Sequence, residues 1–288
     1  MQIGLHALGI GTGASPEVIR AVAGAAETAG FARLWAGEHI VLVDRPQSRY
    51  PYSADGRIAV PADADWLDPL LGLSFAAAVT SRIGLATGIL LLPEHNPVIT
   101  AKRAATLDVL CQGRLTLGVG IGWSAEEFAA LGVPFARRGQ RTAEYVRAMR
   151  SLWAQDVASF RGEFVSFDAV RVNPKPVRDR RIPVVIGGNS DSALDRVAAY
   201  GDGWYGFNVP ANAVAGRIDV LAEACRRHDR SLGELTVAVA LADGGPELLP
   251  ELAEVGVTEL VLVQAPPPDP ASAASWVADL AGRWALTG

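Results

Sequence analysis

One pattern constrains this chain more than any other: short apolar runs alternate with amphipathic helical stretches from one end to the other. Residues 2–8 read as a buried strand. Ser15, Pro16 and Glu17 then open a helix with a hydroxyl cap, a proline at its first position and an acid in its first turn. That helix carries Val18, Ile19, Val22 and Ala26 on one face and stops at Gly30. The same reading predicts strands over 33–37, 83–92, 114–121, 182–186, 203–207, 236–241 and 257–263. It predicts helices over 97–110, 142–153, 190–200, 213–228, 246–254 and 271–284. About eight strand–helix units in one pass is the count an α/β barrel needs. Near-continuous apolar strands are what parallel strands covered on both faces show. The expected fold is α/β, a single (β/α)8 TIM barrel over 1–288. A long loop (41–68) follows its second strand, and a small β-hairpin, SFRGEFVSF (159–167), is inserted between helix 4 and strand 5. An open doubly wound sheet with a helical cap is the other architecture the alternation allows, but no linker or composition break divides the chain.

Composition narrows the function. A chain that is 50% hydrophobic and 20% charged has a core to bury, and its net charge of −5 leaves no basic field for nucleic acid or an anionic membrane surface. No uncharged apolar run reaches the roughly 20 residues of a membrane span, and the first residues, MQIGLHALGIG, lack the basic start of a secretory signal. Cys111 and Cys225 form neither a CxxC nor a zinc spacing, so a reducing, cytoplasmic setting is expected.

In such barrels chemistry sits where strands end. Glu38 and His39 follow the second strand, where an imidazole can exchange a proton near neutral pH or simply be satisfied by backbone. Gly88 and Ile89 interrupt the third, as a bulge or a packing glycine does. His95 and Asn96 stand at the next helix start, Asn96 as its cap. Gly118, Gly120, Ile121, Gly122 and Trp123 close the fourth; the spacing is not GxGxxG, but a glycine-rich strand end leaves a flat wall against which an aromatic ring can lie. Gly187, Gly188, Asn189 and Ser190 open a helix after the fifth, either as a phosphate site on free N–H groups or as a plain capped turn. Arg137, Arg138 and Arg141 read as a solvated face, and Trp204 and Tyr205 as wall residues. His6 lacks the second histidine of an HxH metal motif, because position 8 is Leu8. A metal-dependent barrel hydrolase or isomerase using His6, Glu38, His39 and His95 is therefore a remote alternative, with no metal expected.

The ordered set AGFARLWAGEHIVL, IGLATGILLLPEHNPVITAKRAATLD, GRLTLGVGIGWSAEEFAALGVPFARRGQRTAEYV, FVSFDAVRVNPKPV and IPVVIGGNSDSALDRVAAYGDGWY resembles the luciferase-like monooxygenase superfamily. Within it, the set is most similar to the actinobacterial-type oxidoreductases that use coenzyme F420. The resemblance implies a hydride-transferring oxidoreductase with Glu38 and His39 beside the deazaflavin, and His39 as proton donor or acceptor. It implies a bulge at Gly88–Ile89, often with a non-prolyl cis peptide, a ring wall at Gly120, Ile121 and Gly122, and a phosphate turn at Gly187, Gly188 and Asn189. Some F420 dehydrogenases carry a catalytic Glu after the wall; Trp123 stands there, with Glu126 and Glu38 as reserve acids. Trp123, Tyr50 and Tyr52 are expected to line an apolar mouth for a small-molecule substrate. The same residues suit an FMN-dependent monooxygenase served by a separate flavin reductase, and a homodimer is common among relatives.

Overall fold

The computed structural model describes residues 1–286. In chain order its strands are β1 (Gln2–Leu8), β2 (Arg33–Ala36), β3 (Gly84–Thr87), β4 (Leu115–Val119), β5 (Ala158–Arg161), β6 (Ser166–Val170), β7 (Val184–Gly187), β8 (Gly203–Val209), β9 (Thr236–Leu241) and β10 (Glu259–Val263). All but β5 and β6 close into one parallel barrel in the order β1-β10-β9-β8-β7-β4-β3-β2, so the doubly wound alternative falls. β5 and β6 pair antiparallel as the inserted hairpin.

The helices are α1 (Pro16–Thr28), α2 (Pro69–Ala77), α3 (Pro97–Leu110), α4 (Ala125–Ala130), α5 (Arg138–Ala154), α6 (Asp191–Tyr200), α7 (Val214–Arg227), α8 (Leu249–Glu254) and α9 (Pro270–Arg283). Four of them start alike. Ser15, Asp68, Asn96 and Asp269 each accept a backbone N–H from the first turn, with proline at the first position. Each such cap contributes about 1 kcal/mol. α2 and α4 were not expected from the periodicity. α2 is apolar all round and buries Leu70, Leu73 and Ala76, so it shows no amphipathic period; α4 is only one and a half turns long.

Two cores result. Inside the barrel, Trp35, Ala86, Val185, Tyr205, Ala238 and Val261 pack together. At the N-terminal end Glu259, buried, takes Arg33 and the Trp35 indole N–H at 2.8 Å. Between strands and helices lies the larger aliphatic layer.

Local differences concern strand ends. The strand expected over 83–92 stops at Thr87. There Thr87 Oγ1 turns to donate to the Gly118 carbonyl (2.6 Å), the Gly88–Ile89 peptide is cis, and a 3-10 turn, Leu92–Glu94, follows. The arginine cluster also departs from a solvated face. Arg137 is exposed and pairs with Glu163 on the hairpin, but Arg141 is only 4% exposed and donates to the carbonyls of Pro93 and Pro134. Its guanidinium braces the turn after β3 against α5.

Candidate active site

The C-terminal mouth is assembled from the segments that follow each strand. β2 ends at Ala36 because Gly37 must pass close to other groups: a Cβ there would stand 3.1 Å from the Gly88 carbonyl and 3.3 Å from His6 Nε2. Glu38 and His39 then diverge. Glu38 is buried, and its Oε2 accepts from the Leu91 N–H at 2.6 Å and from His95 Nε2 at 3.0 Å. It ties the second strand end to the third and raises the His95 imidazole above its usual range against the opposing effect of burial. His39 turns the other way, with Nδ1 2.8 Å from Glu127 Oε2. The indoles of Trp66 (4.9 Å between ring centres) and Trp123 (5.8 Å) meet its ring edge-on.

Glu127 is the residue that sequence reasoning missed. It is 1% exposed, and its second oxygen accepts the N–H groups of Ile40 (2.7 Å) and Val41 (3.2 Å). One carboxylate therefore fixes both the imidazole and the backbone that carries it. The neighbouring Glu126 serves elsewhere, accepting Gln47 N and Ser48 N of the long loop at 2.7 and 2.9 Å. The available signal was the short cap-and-acid pattern Ser124-Ala-Glu-Glu, which opens α4 and places its third residue inward.

The third strand end supplies a hydrophobic surface. Ile89 lies across the glycines of the neighbouring strands: a Cβ on Gly120 would overlap its Cδ1, and one on Gly187 would stand 3.0 Å from its Cγ2. Gly122 has φ +75° and faces the Phe128 ring, so a side chain is excluded there as well. The wall expected at 120–122 is thus an isoleucine seated in a glycine trough, with Ile121 half-buried beside it.

Around β7, Gly188 has φ +117°, and its carbonyl accepts the Trp204 indole N–H at 2.8 Å. Asn189 brackets β8, bonding both the N–H and the carbonyl of Phe207, and Ser190 caps α6 through the Ala193 N–H. Two arginines to which the sequence reading gave no binding role lie on the facing helices, Arg138 at the start of α5 and Arg196 on α6. Arg138 donates from Nε to the Gly122 carbonyl (3.1 Å), and Arg196 reaches to within 3.6 Å of a Cβ built on Gly139. Burial, then Arg196, then Arg141 hold the Arg138 guanidinium below its usual range. Among the described residues neither Arg138 nor Arg196 has a carboxylate within ion-pair distance.

The long loop covers the mouth with aromatic rings. Tyr50 meets Trp123 edge-on at 5.3 Å, Tyr52 meets Phe207 at 5.5 Å, and the two tyrosines meet each other at 5.4 Å. The Tyr52 hydroxyl lies 3.8 Å from a Cβ position on Gly188. Burial pushes both phenols upward, so they are neutral donors. Beneath the loop a small cavity of about 40 Å³ is lined by Val41, Ile58, Val60, Trp123, His39 and Glu127.

Deeper in the barrel, His6 Nδ1 bonds the Tyr205 hydroxyl at 3.0 Å, and burial lowers its imidazole to about 4, so it is neutral. Tyr205 stacks on Trp35 at 4.6 Å. Glu38–His95, His39–Glu127 and His6–Tyr205 are separate pairs, and among the described residues no three His, Cys, Asp or Glu side chains are grouped to hold a metal ion. Among the same residues no helix is long and apolar enough to cross a membrane.

Comparison with known proteins agrees with this fold. The chain is 36% identical over 272 residues to an uncharacterized protein of Mycobacterium tuberculosis, covering 92% of this chain and 93% of that one. It is 35% identical over 158 residues to an FMNH(2)-dependent dimethylsulfone monooxygenase of Pseudomonas fluorescens, covering 52% of this chain and 42% of that one. Among solved structures, monooxygenase RslO1 from Streptomyces bottropensis superposes with a TM-score of 0.77 at 19% identity, covering 98% of both chains. The coenzyme F420 dependent tetrahydromethanopterin reductase from Methanopyrus kandleri gives 0.76 at 17%, covering 98% of this chain and 97% of that one. The family model for luciferase-like monooxygenase matches residues 3–242, and the chain belongs to that family of oxidoreductases.

Proposed function

We propose that this protein is an F420-dependent oxidoreductase that transfers a hydride between the deazaflavin and a small uncharged organic substrate. The observation that carries the reading is His39, clamped by buried Glu127 between two indoles. A hydride transfer to or from a carbon–oxygen bond needs one proton at the partner atom, and a fixed imidazole supplies or removes it.

The residues present fit the cofactor's chemistry. Ile89, seated over Gly120 and Gly187, offers a flat apolar face for a ring. The turn Gly187–Gly188–Asn189, with Ser190 at the start of α6 and Arg196 on that same helix, suits a phosphate-bearing tail. When bound, the deazaflavin supplies a two-electron hydride donor or acceptor. With Glu127 accepting from Nδ1–H, Nε2 of His39 is the atom that exchanges the proton. Tyr50, Tyr52, Trp66 and Trp123 exclude water around it, which strengthens that hydrogen bond.

A second reading, an FMN-dependent monooxygenase working with a separate reductase, is favoured by the 35% identity to the FMNH(2)-dependent enzyme over half the chain. Parallel fluorescence titration with F420 and FMN separates the two. Micromolar F420 binding with much weaker FMN binding is expected; preferential FMN binding moves the protein to the second reading, and binding of neither refutes both.

A further inference from the structure

Three carboxylates are buried together at the mouth, and their hydrogen bonds are unequal. Glu127 accepts three, from His39 Nδ1, Ile40 N and Val41 N. Glu38 accepts two, from Leu91 N and His95 Nε2. Glu94, on the 3-10 turn after β3, is 8% exposed, and neither of its oxygens meets a donor. Its Oε1 lies behind the glycine wall, 3.1 Å from a Cβ position on Gly122. An isolated buried carboxylate is costly, and the cost grows beside two anions. The cluster's proton therefore belongs on the one member with nothing to stabilise its charge.

We infer that Glu94 is a positioning residue that acts through His39: as the neutral acid of the cluster, it leaves Glu127 the anion that orders the imidazole. The role rests on the reading of His39 as the proton-exchanging group. The surrounding charges support it. Glu38 faces the turn from the β2 end, His95 adjoins Glu94 in sequence, and Glu127, holding His39, comes from α4. From α5, Arg141 donates to Pro93 and Pro134 carbonyls and Arg138 to those of Gly122 and Phe135, so neither pairs with Glu94. Burial, then Glu127, then Glu38 push the Glu94 carboxyl up to about 9. Above that pH Glu94 takes on a negative charge, and the His39–Glu127 pair loses its neutral neighbour.

The test compares full-length wild type with Glu94→Gln and Glu94→Asp, with melting curves to verify folding. Infrared spectra at neutral pH are expected to show a protonated-carboxyl band that Glu94→Gln removes. The His39 ring signals, followed by NMR against pH, are expected to show an alkaline step near pH 9 that is absent in Glu94→Gln and restored, displaced, in Glu94→Asp. A protonated-carboxyl band unchanged in Glu94→Gln, or an alkaline step that survives there, overturns the assignment. Neither readout involves a cofactor, so failure of F420 and FMN to bind refutes the function without touching this result.

Discussion

Replacing Glu127 separates two jobs that one carboxylate performs. Truncation to Ala strips partners from His39 Nδ1 and from the Ile40 and Val41 N–H groups. At about 1.5–3 kcal/mol per charge-assisted bond the sum is an upper bound. Ile40 is 40% exposed, and its amide regains water. The expected loss is about 3–5 kcal/mol, in line with breaking one side of a buried pair, and the melting temperature falls by on the order of 10 °C. Glu127→Gln behaves differently. Its amide oxygen still accepts both backbone N–H groups, while its NH2 faces Nδ1 and obliges that nitrogen to become the acceptor. Stability then falls by only about 1–2 kcal/mol, but the hydrogen moves to Nε2 of the neutral ring. Nitrogen–proton correlation NMR is expected to show the exchanged tautomer, and turnover to fall by about 10²-fold or more. A Gln variant that keeps both the tautomer and the turnover of wild type refutes the claim that Glu127 sets the state of His39.

Further outcomes follow from the same geometry. Glu27 at the end of α1 accepts the N–H groups of Ser81, Arg82 and Ile83, which hold its carboxyl down to about 2 against the effect of burial. A depressed carboxylate stabilises above its unfolded value and loses that contribution as pH falls through its folded one. Glu27→Gln is therefore expected to cost about 1–2 kcal/mol at neutral pH, after discounting for its exposure. Denaturant melts should show the difference vanishing between pH 4.5 and about 2. Gly118→Ala places a methyl into the Thr87 carbonyl and is expected to destabilise by about 3 kcal/mol. Gly24→Ala, in α1 with open space around it, is expected to stabilise by about 0.5–1 kcal/mol. Equal melting temperatures for that pair contradict the packing described here.

Sequence reading was strongest where a signal is local. The caps Ser15 and Asn96, with proline after each, mark helix starts, and the apolar runs mark strands whose cores match the observed ones. The interruption at Gly88–Ile89 was legible from its glycine, but strand ends were not: β3 stops at Thr87, whose hydroxyl reaches the Gly118 carbonyl of the next strand, a contact between distant residues. The same distance hid Glu127 and Glu94. A glutamate's meaning here is decided by which neighbours donate to it, and those donors lie 86 to 88 positions away for Glu127. Arg141 was misjudged for a related reason: its partners are backbone carbonyls, which leave no trace in residue types. The glycines of the fourth strand end were rightly singled out, yet what fills their space is Ile89.

On the function proposed above, the mouth holds a flat ring against Ile89 with its anionic tail on the Gly188 turn, which opens the helix that carries Arg196. The most direct measurement is fluorescence titration of F420 into wild type and into Arg196→Glu, with melting curves to verify that both are folded. The proposed site predicts micromolar binding to wild type and affinity at least about tenfold weaker in the variant, the loss shrinking as salt is raised. Equal affinity for both proteins, or no binding to wild type, contradicts it.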